Sequence, residues 1–260
     1  MMALLDGRFG KGIFISATGT ELGKTVLASG IAHWMHIHKL GATALWKPVQ
    51  SGVELGTVEA DSYRLLKGSG LTNVGERELV TWTLREPLAP WAAAKREGLE
   101  ISMSELVVEG ERRLQASDRL VVEGAGGVAV PLQARHTMAD LAAALQLPML
   151  IVAAPLLGTV SHTVTAVQYA RSRGVKDVAV VFGAMLFKPT AEWNKAAYEQ
   201  QLHENTEMIE LLAEVPVVGA VPYLPHPNRI DEDLWINWRK DWLRETAHLT
   251  TLHDWLNARL

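Results

Sequence analysis

Short apolar runs, each continuous rather than alternating, recur along this chain: Gly12 to Ser16, Ala42 to Lys47, Leu120 to Glu123, Met149 to Ala154, Val178 to Phe182 and Val217 to Val221. A strand with one wet face alternates apolar and polar residues, whereas a continuous run marks a strand buried on both faces. Between the runs lie patterns at helical spacing, Lys24 to Lys39, Ser102 to Gln115, Met138 to Leu145 and His162 to Arg173. Strand, helix and strand in repeated order predict an α/β fold, a mostly parallel sheet with helices on both faces. Ligands of such folds sit beyond the carboxyl ends of the strands, so the residues that close each run are where chemistry is sought.

Apolar segments are spread evenly over the 260 residues, and one domain over 1–260 is expected, with a Trp-rich helical tail over 230–260. Hydrophobic residues at 48% and charged residues at 21% suit a buried core and argue against disorder. A net charge of -4 without a long basic block lacks the footprint of a nucleic-acid binder. Cysteine is absent, which removes disulfides, thiolate metal sites and a cysteine nucleophile. The opening MMALLDGRFGKG is too short in apolar residues for a signal peptide, and no segment approaches the roughly 20 that span a bilayer. A cytoplasmic protein with small-molecule partners and no membrane association is expected.

The run Ile13-Phe14-Ile15 leads into ATGTELGKT, residues 17 to 25, and a helix is expected from Lys24. Strand, Gly/Thr-rich loop and helix start form the setting of a phosphate cradle, because amides at a helix N-terminus attract anions. Lys24 would reach the terminal phosphates and Thr25 would hold Mg2+. The usual pattern has four free positions between its first Gly and Gly-Lys-Ser/Thr. Counting back from Gly23 puts Thr18 there, with Ala17 before it. Gly19 is expected to supply flexibility, and Gly23 the closest backbone approach.

A phosphate-bound Mg2+ needs hard oxygen ligands. Glu123 closes Leu120-Val121-Val122 and is followed by glycines at 124, 126 and 127, expected to clear a path for a ligand. Asp61 in EADSYRLL precedes a helical run, where it reads as either an N-cap or a metal ligand. Lys47 closes the run Ala42 to Trp46 and opens KPVQSG. A lysine at the end of a buried strand needs an anion to face, and Ser51 and Gly52 suggest a turn around the same anion.

These stretches together resemble the dethiobiotin synthetase family: ATGTELGKT, KPVQSG, Asp61, EPLAPWAAA (86 to 94), VVEGAGG (121 to 127), LLGTVSHT (156 to 163) and VGAVPYLPHP (218 to 227). They occur in family order over roughly residues 12 to 227. The family loop has five free positions, so its first glycine falls on Ala17, a change of one methyl group. The resemblance implies a P-loop NTPase-like three-layer α/β fold. It further implies ATP- and Mg2+-dependent closure of a cyclic urea from 7,8-diaminononanoate and CO2, by way of a carbamate and a carbamic-phosphoric anhydride.

By the same resemblance Lys24 and Lys47 serve catalysis, and Thr25, Asp61 and Glu123 hold the metal. The nucleotide is held by Thr20, Glu21, Leu22, Gly23, Lys24, Thr25 and Val26. Asp61, Glu123, Gly124, Ala125 and Gly126 also face it, as do Pro222, Tyr223 and Leu224. Thr20, Lys47 and Ser51 hold the diamine. Gly158, Thr159, Val160 and Ser161 receive the substrate's distant carboxylate across a homodimer interface. Ser161 stands where the family has Asn, and Trp91 where it more often has His. Ala184 and Met185 replace an Asn-Asp pair that reads adenine, which predicts loose selectivity among nucleoside triphosphates.

The fold and loop are also those of partitioning ATPases, nucleotide switches without ligase activity. Those carry an extra lysine near the start of the loop, and Ala17 to Leu22 has none. An amidoligase of cobalamin synthesis would call for a glutaminase cysteine. His33, His36 and His38 are expected to be surface or core residues rather than a metal site. Trp235, Trp238 and Trp242 share one helical face, predicting a buried core or dimer contact.

Overall fold

The computed structural model describes residues 11–183, 195–221, 232–244 and 246–260. In chain order these form β1 (Lys11–Ala17), α1 (Lys24–Ile37), β2 (Thr43–Ser51), α2 (Asp61–Ser69), α3 (Glu76–Leu79), β3 (Val80–Leu84), α4 (Pro90–Arg96), α5 (Met103–Ala116), β4 (Arg119–Glu123), α6 (Met138–Ala144), β5 (Met149–Ala153), α7 (Thr159–Ser172), β6 (Val178–Phe182), α8 (Lys195–Ala213), β7 (Val217–Ala220), α9 (Glu232–Arg244) and α10 (Thr246–Asn257).

The strands make one 7-stranded sheet in the order β3-β2-β4-β1-β5-β6-β7, and every pairing is parallel. β1 is the switch point: β4 and β2 lie to one side, β5 and β6 to the other, and a crevice opens past its carboxyl end. Successive strand residues feed two cores. Ile13, Ile15 and Val121 pack with Leu27, Ile31 and Leu65 of α1 and α2. Phe14, Val122 and Ile151 pack with Leu106, Leu141 and Val167 of α5, α6 and α7. The three-layer α/β arrangement expected from the sequence is present.

Three expectations are corrected. β2 continues through Ser51, so Lys47 lies inside a strand rather than at its end. α7 begins at Thr159 with Gly158 as its N-cap, so Thr159 to Ser161 form a first helical turn rather than a loop. Asp61 is the first residue of α2, and the N-cap is Ala60.

Trp235, Trp238 and Trp242 of α9 are 2%, 3% and 0% exposed and join the core on the α1/α2 side. The tail is thus a core element of this chain. A Cβ at Gly30 of α1 would lie 2.5 Å from the Trp242 ring, and one at Gly68 of α2 would lie 2.7 Å from Trp235. Arg239 Nη1 donates to the Lys67 carbonyl at 2.6 Å, and His253 of α10 stacks on Trp34 with ring centroids 4.6 Å apart. No helix among the described residues is long and apolar enough to cross a membrane.

Candidate functional site

The loop between β1 and α1 ends at Gly23, whose φ of 96° lies in the left-handed region where a side chain is strained. No side chain caps α1 and its first turn carries no acid, so its N-terminal amides are left for an anion. Lys24 is buried, and its ammonium donates to the Gly19 carbonyl at 3.4 Å. Burial, and then the like charge of Lys47, lower the Lys24 pKa. Gly19 departs from expectation: its φ is not positive, and an added Cβ would meet only Leu22 Cδ1 at 3.8 Å. The close approach is made elsewhere. A Cβ at Gly183, just past β6, would fall 1.8 Å from the Leu22 carbonyl, so the loop lies directly on that glycine.

Trp46 pairs with Val122 in the parallel register of β2 and β4, which sets Lys47 beside Glu123. Lys47 Nζ donates to Glu123 Oε1 at 2.7 Å and to Asp61 Oδ2 at 2.8 Å. Thr25 Oγ1 lies 2.9 Å from Glu123 Oε1 and 3.3 Å from Asp61 Oδ1. Lys47 and Glu123 are buried, while Asp61 is part-exposed toward the cavity. Burial opposes the charge on Lys47, but Asp61 and Glu123 outweigh it and raise its pKa. Burial likewise pushes Asp61 up, yet Lys47, helped by Arg64 and Lys24, holds it well below the usual carboxylate range. For Glu123 burial wins and its pKa is raised.

Glu123 Oε2 is buried without a hydrogen-bond partner. An orphaned carboxylate oxygen beside a threonine hydroxyl and a second carboxylate is an all-oxygen donor set that suits Mg2+, which takes one or two carboxylates from protein. Thr25, Asp61 and Glu123 therefore fit the metal expected there. Among the described residues no cluster of three His, Cys, Asp or Glu side chains could hold a metal. His33 Nδ1 and His38 Nδ1 instead pair with the carbonyls of Ser69 and Trp34.

Gly23, Lys24, Thr25, Asp61 and Glu123 border a cavity of about 910 Å³ at the carboxyl ends of the strands, whereas Lys47, buried against both carboxylates, does not. Thr20, Glu21, Val26, Ser51, Ala125 and Gly126 also border it. Leu22 and Gly124 stand behind the wall, buried. Gly124 and Gly127 are small because Phe14 and the Ala17 carbonyl crowd them, at 2.9 and 3.1 Å from an added Cβ, rather than to clear a ligand path. The Ser51 hydroxyl donates to the Leu88 carbonyl at 2.8 Å. Gly158, Thr159, Val160 and Ser161 do not border this cavity. Pro222, Tyr223, Leu224, Ala184 and Met185 lie outside the described residues. Trp91 is 43% exposed on α4, and nothing in the structure explains it. Sequence reasoning missed Gln50 and Arg64, both at the cavity; Arg64 Nη2 donates to Asp61 Oδ1 at 2.8 Å.

A family model described as AAA domain matches residues 11–230. The ATP-dependent dethiobiotin synthetase BioD of Bacillus subtilis subsp. natto is 35% identical over 214 residues, covering 82% of this chain and 88% of the relative. The protein of the same name from Bacillus cereus (strain G9842) is 39% identical over 213 residues, covering 82% and 83%. Among solved structures, a ParA family ATPase from Chlorobium tepidum TLS aligns over 96% of this chain and 98% of its own at 9% identity, with a TM-score of 0.51. That likeness shows the fold alone.

Proposed function

The chain belongs to the family of ATP-dependent dethiobiotin synthetases, ligases of biotin biosynthesis, and on that footing we propose the chemistry that its site performs. One amine of 7,8-diaminononanoate takes up CO2 as a carbamate. A carbamate oxygen then attacks the γ-phosphorus of ATP and ADP leaves. The second amine attacks the carbonyl carbon of the resulting anhydride, phosphate departs, and the cyclic urea closes.

Phosphoryl transfer asks the protein for positioning and charge stabilisation more than for covalent chemistry. The amides of Gly23, Lys24 and Thr25 and the Lys24 ammonium cradle the phosphates. Lys47 keeps its proton, because Asp61 and Glu123 raise its pKa, and presents a fixed positive charge to the carbamate and the transferring phosphoryl. Thr25, Asp61 and Glu123 would hold Mg2+, which neutralises phosphate charge when bound. Thr20 and Ser51 orient the diamine.

The observation that carries this reading is the buried Lys47 ammonium held between Asp61 and Glu123 beside Thr25. A simple nucleotide switch has no need of a second lysine there. The carboxylate of the substrate is taken by Gly158 to Ser161 of a second copy, in a cytoplasmic homodimer. The uncapped start of α7 at Gly158 supports this, because its first amides favour an anion.

The test is phosphate release from protein with MgATP and bicarbonate, with and without 7,8-diaminononanoate, followed by mass analysis. Diamine-dependent release with the mass of the cyclic urea is the expected result. Release indifferent to the diamine would overturn the ligase reading in favour of a nucleotide switch.

A further inference from the structure

Gln50 belongs to the KPVQSG stretch, is 2% exposed, borders the cavity, and has no part in the chemistry above. Its amide oxygen accepts from the backbone N–H of Ser62 at 3.0 Å and lies 2.8 Å from the Ser62 hydroxyl. Ser62 is fully buried and follows Asp61 directly. It is therefore the second residue of α2, and its amide is one that no turn of the helix satisfies. An N-cap side chain normally meets such an amide, but the N-cap here is Ala60, which has no group to offer. Gln50 supplies the cap from β2.

β2 can deliver both groups because it changes face. Trp46 and Val49 enter the same core layer, although strict alternation would set them on opposite faces. Lys47 and Gln50, equally spaced, both reach α2. Pro48 stands between, lacking the N–H that a regular ladder uses. That change of face places the Lys47 ammonium against the Asp61 carboxylate and the Gln50 amide against the next residue. On the far side the Ser62 hydroxyl lies 2.6 Å from Glu76 Oε1, and Glu76 Oε2 accepts from the Gly56 amide at 2.8 Å. The loop before α2 is tied into the same cluster.

We infer that Gln50 is a positioning residue: by capping α2 from the neighbouring strand it fixes the Asp61 carboxylate at Thr25 and Lys47. The inference rests on the metal role proposed for Asp61. Loss of a partner that orients a metal-bound group commonly costs about 10- to 100-fold in metal affinity.

The experiment measures Mn2+ binding to the full chain with ADP by electron paramagnetic resonance, together with the Mg2+ dependence of turnover. Gln50→Met, similar in length but without an acceptor, is expected to bind Mn2+ about tenfold more weakly. Its kcat returns toward the parent value at saturating Mg2+, so the loss sits in the metal requirement. Ser62→Ala keeps the amide bond to Gln50 and is expected to bind Mn2+ like the parent. Parent-like affinity in Gln50→Met overturns the inference, as does a loss in Ser62→Ala equal to that in Gln50→Met. If Gln50→Met does not fold, Gln50→Asn, whose oxygen falls one carbon short, decides by the same measure. A parent chain that binds no Mn2+ overturns the inference together with the metal site, while diamine-dependent phosphate release still reports separately on the ligase reaction.

Discussion

Glu123 gives one carboxylate oxygen to Lys47, at 2.7 Å, and keeps the other buried and unpartnered. One half of the group is spent on holding a lysine charge inside the protein, and the other half is free for a cation. The lysine and the metal set are therefore coupled, because any change at Lys47 alters the charge that Glu123 carries.

Removing that charge separates chemistry from packing. Lys47→Met is expected to lower kcat at least about 100-fold, the scale set by losing one transition-state electrostatic partner. It also leaves the buried Glu123 carboxylate without its cation, a loss of about 3 kcal/mol at neutral pH, as for other broken buried pairs. Urea unfolding should show that loss shrinking in acid, where protonated Glu123 needs no counter-charge. Full turnover in the variant would take Lys47 out of the mechanism.

Two glycines near the phosphate loop should respond differently. Gly183→Ala drives a methyl into the Leu22 carbonyl, 1.8 Å away, whereas Gly19→Ala meets only a leucine methyl at 3.8 Å. Overpacking of the first kind costs about 1–3 kcal/mol. Calorimetric ADP titration is expected to show affinity falling about tenfold or more in Gly183→Ala, since about 1.4 kcal/mol is a factor of ten. The Gly19→Ala titration should stay close to the parent. Equal losses would show that the β6 glycine does not set the loop.

The tail carries its own pH dependence. Burial, and then His38, lower the pKa of His253 from its ordinary 6.5. A histidine depressed in the folded state contributes stability above the unfolded pKa, and that contribution is lost as pH falls through the lowered value. The melting temperature is expected to drop as pH is taken from 7 to 5. His253→Phe, which keeps a ring for Trp34, should flatten part of that slope. His33, also lowered by burial, accounts for a remainder.

Turnover with ATP, CTP and GTP should agree within about tenfold, because a base-reading pair is worth orders of magnitude and Ala184 and Met185 offer none. A strong preference for ATP would assign base reading to the backbone near Pro222, Tyr223 and Leu224.

The places of Lys24, Thr25 and Asp61 were legible in the sequence because each opens a recognisable helix after a loop, and that of Glu123 because it closes a continuous apolar run. Lys47 was legible in type but not in place. The proline after it reads as a strand end, whereas β2 continues through it to Ser51. Val80 to Leu84 was not legible as a strand, because this edge strand shelters only alternate residues and so lacks the continuous apolar run of a strand buried on both faces. Gln50 and Gly183 were illegible for another reason. Their roles come from Ser62 and Leu22, neighbours brought close only by the tertiary fold. The Trp235, Trp238 and Trp242 stripe announced a buried face, but nothing in its spacing named α1 and α2 as what it covers.

That stripe ties α9 to α1 and α2. Trp242 fills the groove at Gly30, on the helix that starts with Lys24 and Thr25. The β1–α1 unit therefore cannot close this part of its core during synthesis until α9 has emerged. During synthesis the phosphate loop waits on an incomplete support, and its finished form arrives only with the C-terminal helices. A nascent chain halted near residue 230 would present the bare backs of α1 and α2 to water, an apolar surface that invites chaperones or aggregation before any nucleotide can be held.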